Sequence, residues 1–180
     1  AAPDDFKLTL DGNAVTSGQK NTVNAGTHTA AETLVAGYRF VGFTLDCGED
    51  GKVTVALGED KTCMLTNDDI APRLKLRKVV INDNGGTATT ADFTLTADGT
   101  GTNDLSGTSP VDSTGTLKAD TWTLSETNVP GYTASNWNCV GGTQVGATIK
   151  LGIDQEATCT ITNDDIAPRL HLRKVVINDN

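Results

Sequence analysis

One stretch of this chain occurs twice. Thr66 to Asn84 reads TNDDIAPRLKLRKVVINDN, and Thr162 to Asn180 repeats it except that Lys75 becomes His171. The offset is 96 residues, Asn67 matching Asn163. After the first copy comes a full second repeat; the second copy ends the sequence. Before the first copy lies a repeat that lacks this segment at its own start. A fold of equivalent repeats cut in this register has one strand too few at the front and one too many at the back. The surplus strand is therefore expected to serve a repeat other than its own.

The rest of the sequence says what kind of repeat this is. Phe93-Thr94-Leu95-Thr96, Trp122-Thr123-Leu124-Ser125-Glu126 and Thr158-Cys159-Thr160-Ile161-Thr162 alternate with period two, and turn residues separate them. Such stretches are half-buried strands, and no window sustains a helical period. The expectation is an all-β chain of two tandem small β-sandwiches, Ig-like in layering. Internal alignment sets the limits. Asp5-Phe6-Lys7-Leu8 matches Asp92-Phe93-Thr94-Leu95, and Glu32 through Tyr38 matches Glu126 through Tyr132. The second repeat has a strand, Leu74 to Ile81, before Phe93; the first has none before Phe6. The predicted domains are 1–69, a sandwich without its N-terminal strand, and 71–165, complete, with 167–180 as a donor strand. Asn82-Asp83-Asn84-Gly85-Gly86 carries a hairpin signal, and Gly141-Gly142 reads as a second hairpin turn.

A sandwich lacking a strand leaves backbone groups unpaired and core uncovered, which is unfavourable and aggregation-prone. Leu170 to Ile177 has the sequence to fill that place, presenting Leu170, Leu172, Lys174 and Val176 on one face. Added strands satisfy main-chain hydrogen bonds while alternate side chains fill pockets. Acceptor and donor lie at opposite ends of the chain, so the contact runs head to tail and builds filaments of identical subunits.

Composition narrows the partners. Aromatic residues make up 4% of the 180 residues, so each repeat has little large apolar surface to bury and needs covalent or intersubunit support. The net charge of −9 argues against nucleic acid and anionic membrane surfaces. No apolar run reaches the length of a membrane span. Four cysteines fall in two pairs, Cys47 with Cys63 and Cys139 with Cys159. Neither pair has zinc or redox spacing, so two structural disulfides and an oxidising, extracellular compartment are expected. Closing a loop of about 20 residues stabilises a domain by roughly 3 kcal/mol. The sequence opens Ala1-Ala2-Pro3 without Met, as after signal-peptide removal or in an excised fragment, and no sortase-type sorting signal is visible at its end.

The box Trp122-Thr123-Leu124-Ser125-Glu126 followed by Pro130-Gly131-Tyr132 resembles the YxLxE…PxGY box of Cna protein B-type domains. These are the prealbumin-like, SpaA-type repeats of bacterial pilins and surface adhesins. The Lys-Val-Val strand and the terminal Thr-Ile-Thr-Asn strand are similar to that family's lysine and asparagine strands. The resemblance implies an extracellular, adhesion-related fibre whose domains form an internal isopeptide: a lysine amine attacks an asparagine amide and a buried carboxylic acid assists. By position these are Lys78, Asn163 and Glu126. Parity agrees, because Leu74, Leu76, Lys78 and Val80 share a face, as do Trp122, Leu124 and Glu126, and Ile161 and Asn163. Lys75 points the other way. In the first repeat Glu32 and Asn67 match, but the matching lysine is Lys174, so a bond from Lys174 of one subunit to Asn67 of the next is expected. The first copy of the box departs from the pattern, with His28, Ala30 and Ala36 where Trp122, Leu124 and Pro130 stand.

No nucleophile elbow, phosphate-cradling loop or Cys/His catalytic pattern is present. Apart from autocatalytic cross-linking, no enzyme activity is expected. The Asn67-Asp68-Asp69 and Asn82-Asp83-Asn84 clusters and their copies offer oxygens to calcium. They lack a calcium loop's spacing and glutamate, and turn chemistry accounts for them, so no metal or other cofactor is expected. Two other readings remain at this level: a piece of a multi-repeat adhesin stalk, and a glycan- or matrix-binding module. Two Trp, two Tyr and four Phe leave little for an exposed aromatic platform in the latter.

Overall fold

The computed structural model describes residues 1–179 and divides into two compact units between Ala71 and Pro72, within the repeated Ile-Ala-Pro junction. The described residues are all-β apart from two short 3₁₀ turns, Pro3–Asp5 and Thr90–Asp92. Among the described residues no helix is long and apolar enough to cross a membrane.

Unit 1 has six strands: β1 (Lys7–Leu10), β2 (Asn13–Val15), β3 (Gly26–Thr33), β4 (Tyr38–Leu45), β5 (Lys52–Val55) and β6 (Cys63–Asp69). One sheet runs β2-β1-β3-β5, and the other is β4 with β6. β3 alternates half-buried with exposed along its whole length, as period-two patterning requires. Its inward positions, Gly26, His28, Ala30 and Glu32, bring little apolar volume to the interior. Only Cys47 and Val53 are buried apolar residues in this unit.

Among the described residues unit 2 has ten strands. They are β7 (Arg73–Ile81), β8 (Thr94–Asp98), β9 (Leu105–Thr108), β10 (Val111–Asp112), β11 (Asp120–Glu126), β12 (Tyr132–Ala134), β13 (Asn138–Val140), β14 (Thr143–Val145), β15 (Thr148–Leu151) and β16 (Glu156–Asp165). One sheet is β10-β7-β16-β12 with β13 also on β16, and the facing sheet is β14-β15-β11-β8-β9. Between them Trp122, Phe93, Leu74, Leu76, Leu95 and Ile149 are fully buried. The indole N–H of Trp122, which would be unfavourable left bare in that core, donates to the Asn103 carbonyl at 2.6 Å.

The two units differ in what lies beside β16 and its counterpart β6. β7 lies parallel to β16, with Lys78 opposite Ile161 and Val80 opposite Asn163. β6, the counterpart of β16, pairs only with β4 among the described residues. On its other side is a groove of about 680 Å³ lined by Phe6, Leu8, Glu32, Val53, Leu65 and Asn67, among others. Residues 167–179 form no strand and are exposed, Leu170 at 85% and Leu172 at 88%.

Two turn assignments need correction. Asn82–Gly86 is not a hairpin: β7 and the next strand, β8, belong to opposite sheets. Gly141-Gly142 likewise joins β13 to β14 across the sandwich. Turn residues record that the chain reverses. Which sheet the next strand joins is decided by where its apolar face finds cover.

Candidate functional site

The side chains of Lys78 and Glu126 meet in the interior of unit 2, and Asn163 is buried on β16, the strand beside β7. β7 brings Lys78 inward because Leu74 and Leu76 precede it on the same face, all three buried. β11 brings Glu126 in behind Trp122 and Leu124, and β16 brings Asn163 behind Ile161. The Lys78 side chain is inaccessible to solvent and Glu126 nearly so. The Lys78 ammonium donates to Glu126 Oε2 and lies over the Phe93 ring, 4.1 Å from its centroid, where the ring's negative face attracts it. Burial lowers the Lys78 pKa, and the adjacent Glu126 carboxylate opposes that shift without cancelling it. The neutral amine, the nucleophilic form, is thus nearer to hand than in a solvated lysine. Asn163 is buried, and its Oδ1 has no hydrogen-bond partner among the described residues. An orphaned buried carbonyl is unfavourable in a stable core; here it leaves the amide free to be polarised.

Unit 1 holds the equivalent glutamate and asparagine without the lysine, and here the two are paired directly. Asn67 Nδ2 donates to Glu32 Oε2 at 2.9 Å, while Glu32 Oε1 and Asn67 Oδ1 are buried and unpartnered. Phe6 packs edge-on against Tyr38 at 5.4 Å, as Phe93 does against Tyr132 at 5.9 Å. Phe6, Glu32 and Asn67 all line the groove beside β6. Lys174 is exposed, in the strandless C-terminal segment with Leu170, Leu172 and Val176, and is not brought to Asn67.

The cysteines pair as Cys47–Cys63 and Cys139–Cys159, the second pair directly opposed on β13 and β16. Of the acidic clusters, Asp83 meets Asp164 and Asp165, with one oxygen of each within 4.8 Å of the others. Asp165 already accepts from the backbone N–H groups of Asp83, Asn84 and Gly86. Its carboxylate ties down the loop between the sheets. Asp164 and burial together raise the Asp83 pKa.

Sequence reasoning did not find Phe93 beneath the ammonium, or the anchoring of that loop by Asp165 and Tyr132. The recurrence of Phe6 as Phe93 and of the Tyr38/Asp69 pair as Tyr132/Asp165 was the available signal.

Three solved structures align with this chain at low identity. The major pilin protein T-13 of Streptococcus pyogenes aligns at 13% identity over 89% of this chain and 88% of that one, with a TM-score of 0.45. The S. pyogenes major pilin T3.2 aligns at 13% over 78% and 66%, TM-score 0.44. A further S. pyogenes major pilin aligns at 11% over 89% and 90%, TM-score 0.43. No curated protein matches the chain. The family model of the prealbumin-like fold domain matches residues 1–65 and 69–161, nearly the whole sequence and both units. The chain belongs to the prealbumin-like fold domain family.

Proposed function

We propose that this chain is a structural subunit of an extracellular, pilus-like fibre, whose unit 2 is locked by a Lys78–Asn163 isopeptide and whose unit 1 is completed by Leu170–Ile177 of the next copy. One observation carries this reading. Unit 2 encloses Lys78, hydrogen-bonded to Glu126, and a buried Asn163 on the neighbouring strand, whereas unit 1 has the matching Glu32–Asn67 pair in its open groove without a lysine, and the exposed segment contains that lysine. Family membership and the two disulfides support an extracellular, non-enzymatic role.

The chemistry proposed starts from the Lys78–Glu126 hydrogen bond and from Asn163 on the adjacent strand. Lys78 Nζ passes a proton to Glu126 along their hydrogen bond and becomes a neutral amine. Its lone pair attacks Asn163 Cγ, whose oxygen takes the Glu126 proton. The tetrahedral carbon then expels Nδ2, which Glu126 protonates, and the nitrogen leaves as ammonium carrying the proton that Lys78 gave up. One C–N bond forms, one breaks, and Glu126 ends as it began. Packing holds the reactants together, so proximity replaces a separate enzyme. In the fibre Lys174 of one copy, Glu32 and Asn67 of the next play the same parts.

A specific observation favours a second reading. Ile166-Ala167-Pro168 repeats the Ile70-Ala71-Pro72 junction that leads into β7. In a multi-repeat stalk the same segment would open a further unit of one longer chain. Boiled, reducing gel electrophoresis of the native material with intact-mass analysis separates the readings. A ladder at multiples of 18.8 kDa, each step lacking ammonia and abolished by Lys174→Ala, supports the polymer. A species far longer than 18.8 kDa that persists in Lys174→Ala supports the stalk. A single band at full mass, with no ammonia lost, removes the isopeptide from both.

A further inference from the structure

Unit 2 shows how a β7-type strand is held at its far end. Beyond Ile81 the chain enters Asn82-Asp83-Asn84, and two side chains hold it there. Asp165 accepts from the backbone N–H groups of Asp83 and Asn84, both at 3.0 Å. Tyr132 Oη donates to Asn82 Oδ1 and accepts from the Ala88 N–H at 2.9 Å. Tyr132 and Asp165 are directly opposed on β12 and β16.

Unit 1 reproduces these holding groups. Tyr38 and Asp69 are directly opposed on β4 and β6. Ile70 N–H donates to the Gly37 carbonyl at 2.8 Å, as Ile166 does to Gly131 at 2.8 Å. Ala1, which aligns with Ala88, donates from its nitrogen to Tyr38 Oη at 2.7 Å. Ala2 N–H reaches Asp5 as Thr89 N–H reaches Asp92, each at 2.7 Å. Tyr38 thus has its Ala88-type donor in place and its own hydroxyl hydrogen left for an acceptor. Asp69 lies exposed, whereas Asp165 is 7% exposed under the loop it binds.

We infer that Tyr38 and Asp69 form a clasp for the Asn178-Asp179 end of a second copy's strand, and that this clasp fixes the register in which the strand enters unit 1. The inference rests on the reading that such a strand completes unit 1. The occupant is argued from identity: Asn178-Asp179-Asn180 repeats Asn82-Asp83-Asn84, and the intervening residues back to Arg173 repeat β7 without change. In the register of β7 on β16, Lys174 stands opposite Leu65 and Val176 opposite Asn67.

A clasp has a physical task here. Alternation of Leu170, Leu172, Lys174 and Val176 resists a slip of one residue, because every inward side chain would turn outward. It does not resist a slip of two, since Leu172 or Val176 then faces inward at the lysine's place. A fixed point at the strand's end removes that degeneracy and aims Lys174 at Glu32 and Asn67.

The test uses fluorescence anisotropy of labelled synthetic peptides titrated with the full chain. One peptide spans residues 167–180 and the other stops at Ile177. The long peptide should bind about tenfold more tightly, the scale of one hydrogen bond to a charged group. Asp69→Ala should erase that advantage and leave the short peptide's affinity unchanged. Tyr38→Phe, which keeps the ring against Phe6, should remove part of the advantage and guards against misfolding of the first variant. Equal binding of both peptides to the parent chain would overturn the clasp while leaving strand completion standing. Failure of both peptides to bind would overturn strand completion, and the clasp with it.

Discussion

His28 and Trp122 occupy the same place in the two units and meet the same need differently. Trp122 fills a core and spends its one donor on the Asn103 carbonyl. His28, with its side chain only 12% exposed, faces Asp11 Oδ2 at 2.7 Å and the Asn24 carbonyl at 2.8 Å. A carbonyl and a carboxylate both accept, so the ring is best served as an imidazolium donating from both nitrogens. The Asp11 hydrogen bond, then that to Asn24, raises the His28 pKa. His28 in turn holds the Asp11 carboxyl below its usual range. The raised histidine stabilises unit 1 fully below about pH 6.5, its unfolded value, and that contribution is lost as pH rises through the folded pKa. The lowered aspartate acts oppositely, its contribution being lost only as acid titrates it. The melting midpoint of unit 1, followed by calorimetry from about pH 5 to 9 across the histidine range, should therefore fall on the alkaline side. His28→Phe should flatten that decline; an unchanged profile in the variant would place the dependence elsewhere.

At the level of elements, the loop between β7 and β8 carries the sandwich from one sheet to the other and depends on one carboxylate. Asp165→Ala would leave the N–H groups of Asp83, Asn84 and Gly86 without their acceptor. With hydrogen bonds to a charged group worth about 1.5–3 kcal/mol each, and partial replacement by water, a net loss of about 3 kcal/mol is expected. Urea denaturation of unit 2 measures it, and a loss within about 0.5 kcal/mol, the usual range of surface substitutions, would refute the anchoring role. This loop also marks where sequence reading stopped. Alternation in β7, β11 and β16 was plain because each strand buries one face, and it placed Lys78, Glu126 and Asn163 inward. The Asn/Asp/Gly run was just as plain as a turn. Its role in crossing between sheets was not, because that depends on Asp165, 79 residues from Gly86, and contact across such a separation leaves no local pattern.

The whole molecule joins two units of unequal solidity. Unit 2 contains the clustered core, whereas unit 1 buries only Cys47 and Val53 among its apolar residues. Heating should therefore give two transitions, unit 1 melting first. Reductant should lower the first midpoint more than the second, since a disulfide worth roughly 3 kcal/mol is a larger share of a weaker unit's stability. A single transition insensitive to reductant would contradict this. The parallel pairing of β7 with β16 has a mechanical consequence as well. The chain enters unit 2 at one end of this pair and leaves at the opposite end, so tension along the chain pulls the two strands lengthwise past each other. Their hydrogen bonds then share the load and yield together, instead of opening one after another. A covalent tie from Lys78 to Asn163 would carry the pull directly between neighbouring strands, and everything from Val79 to Thr162 would bear no tension at all.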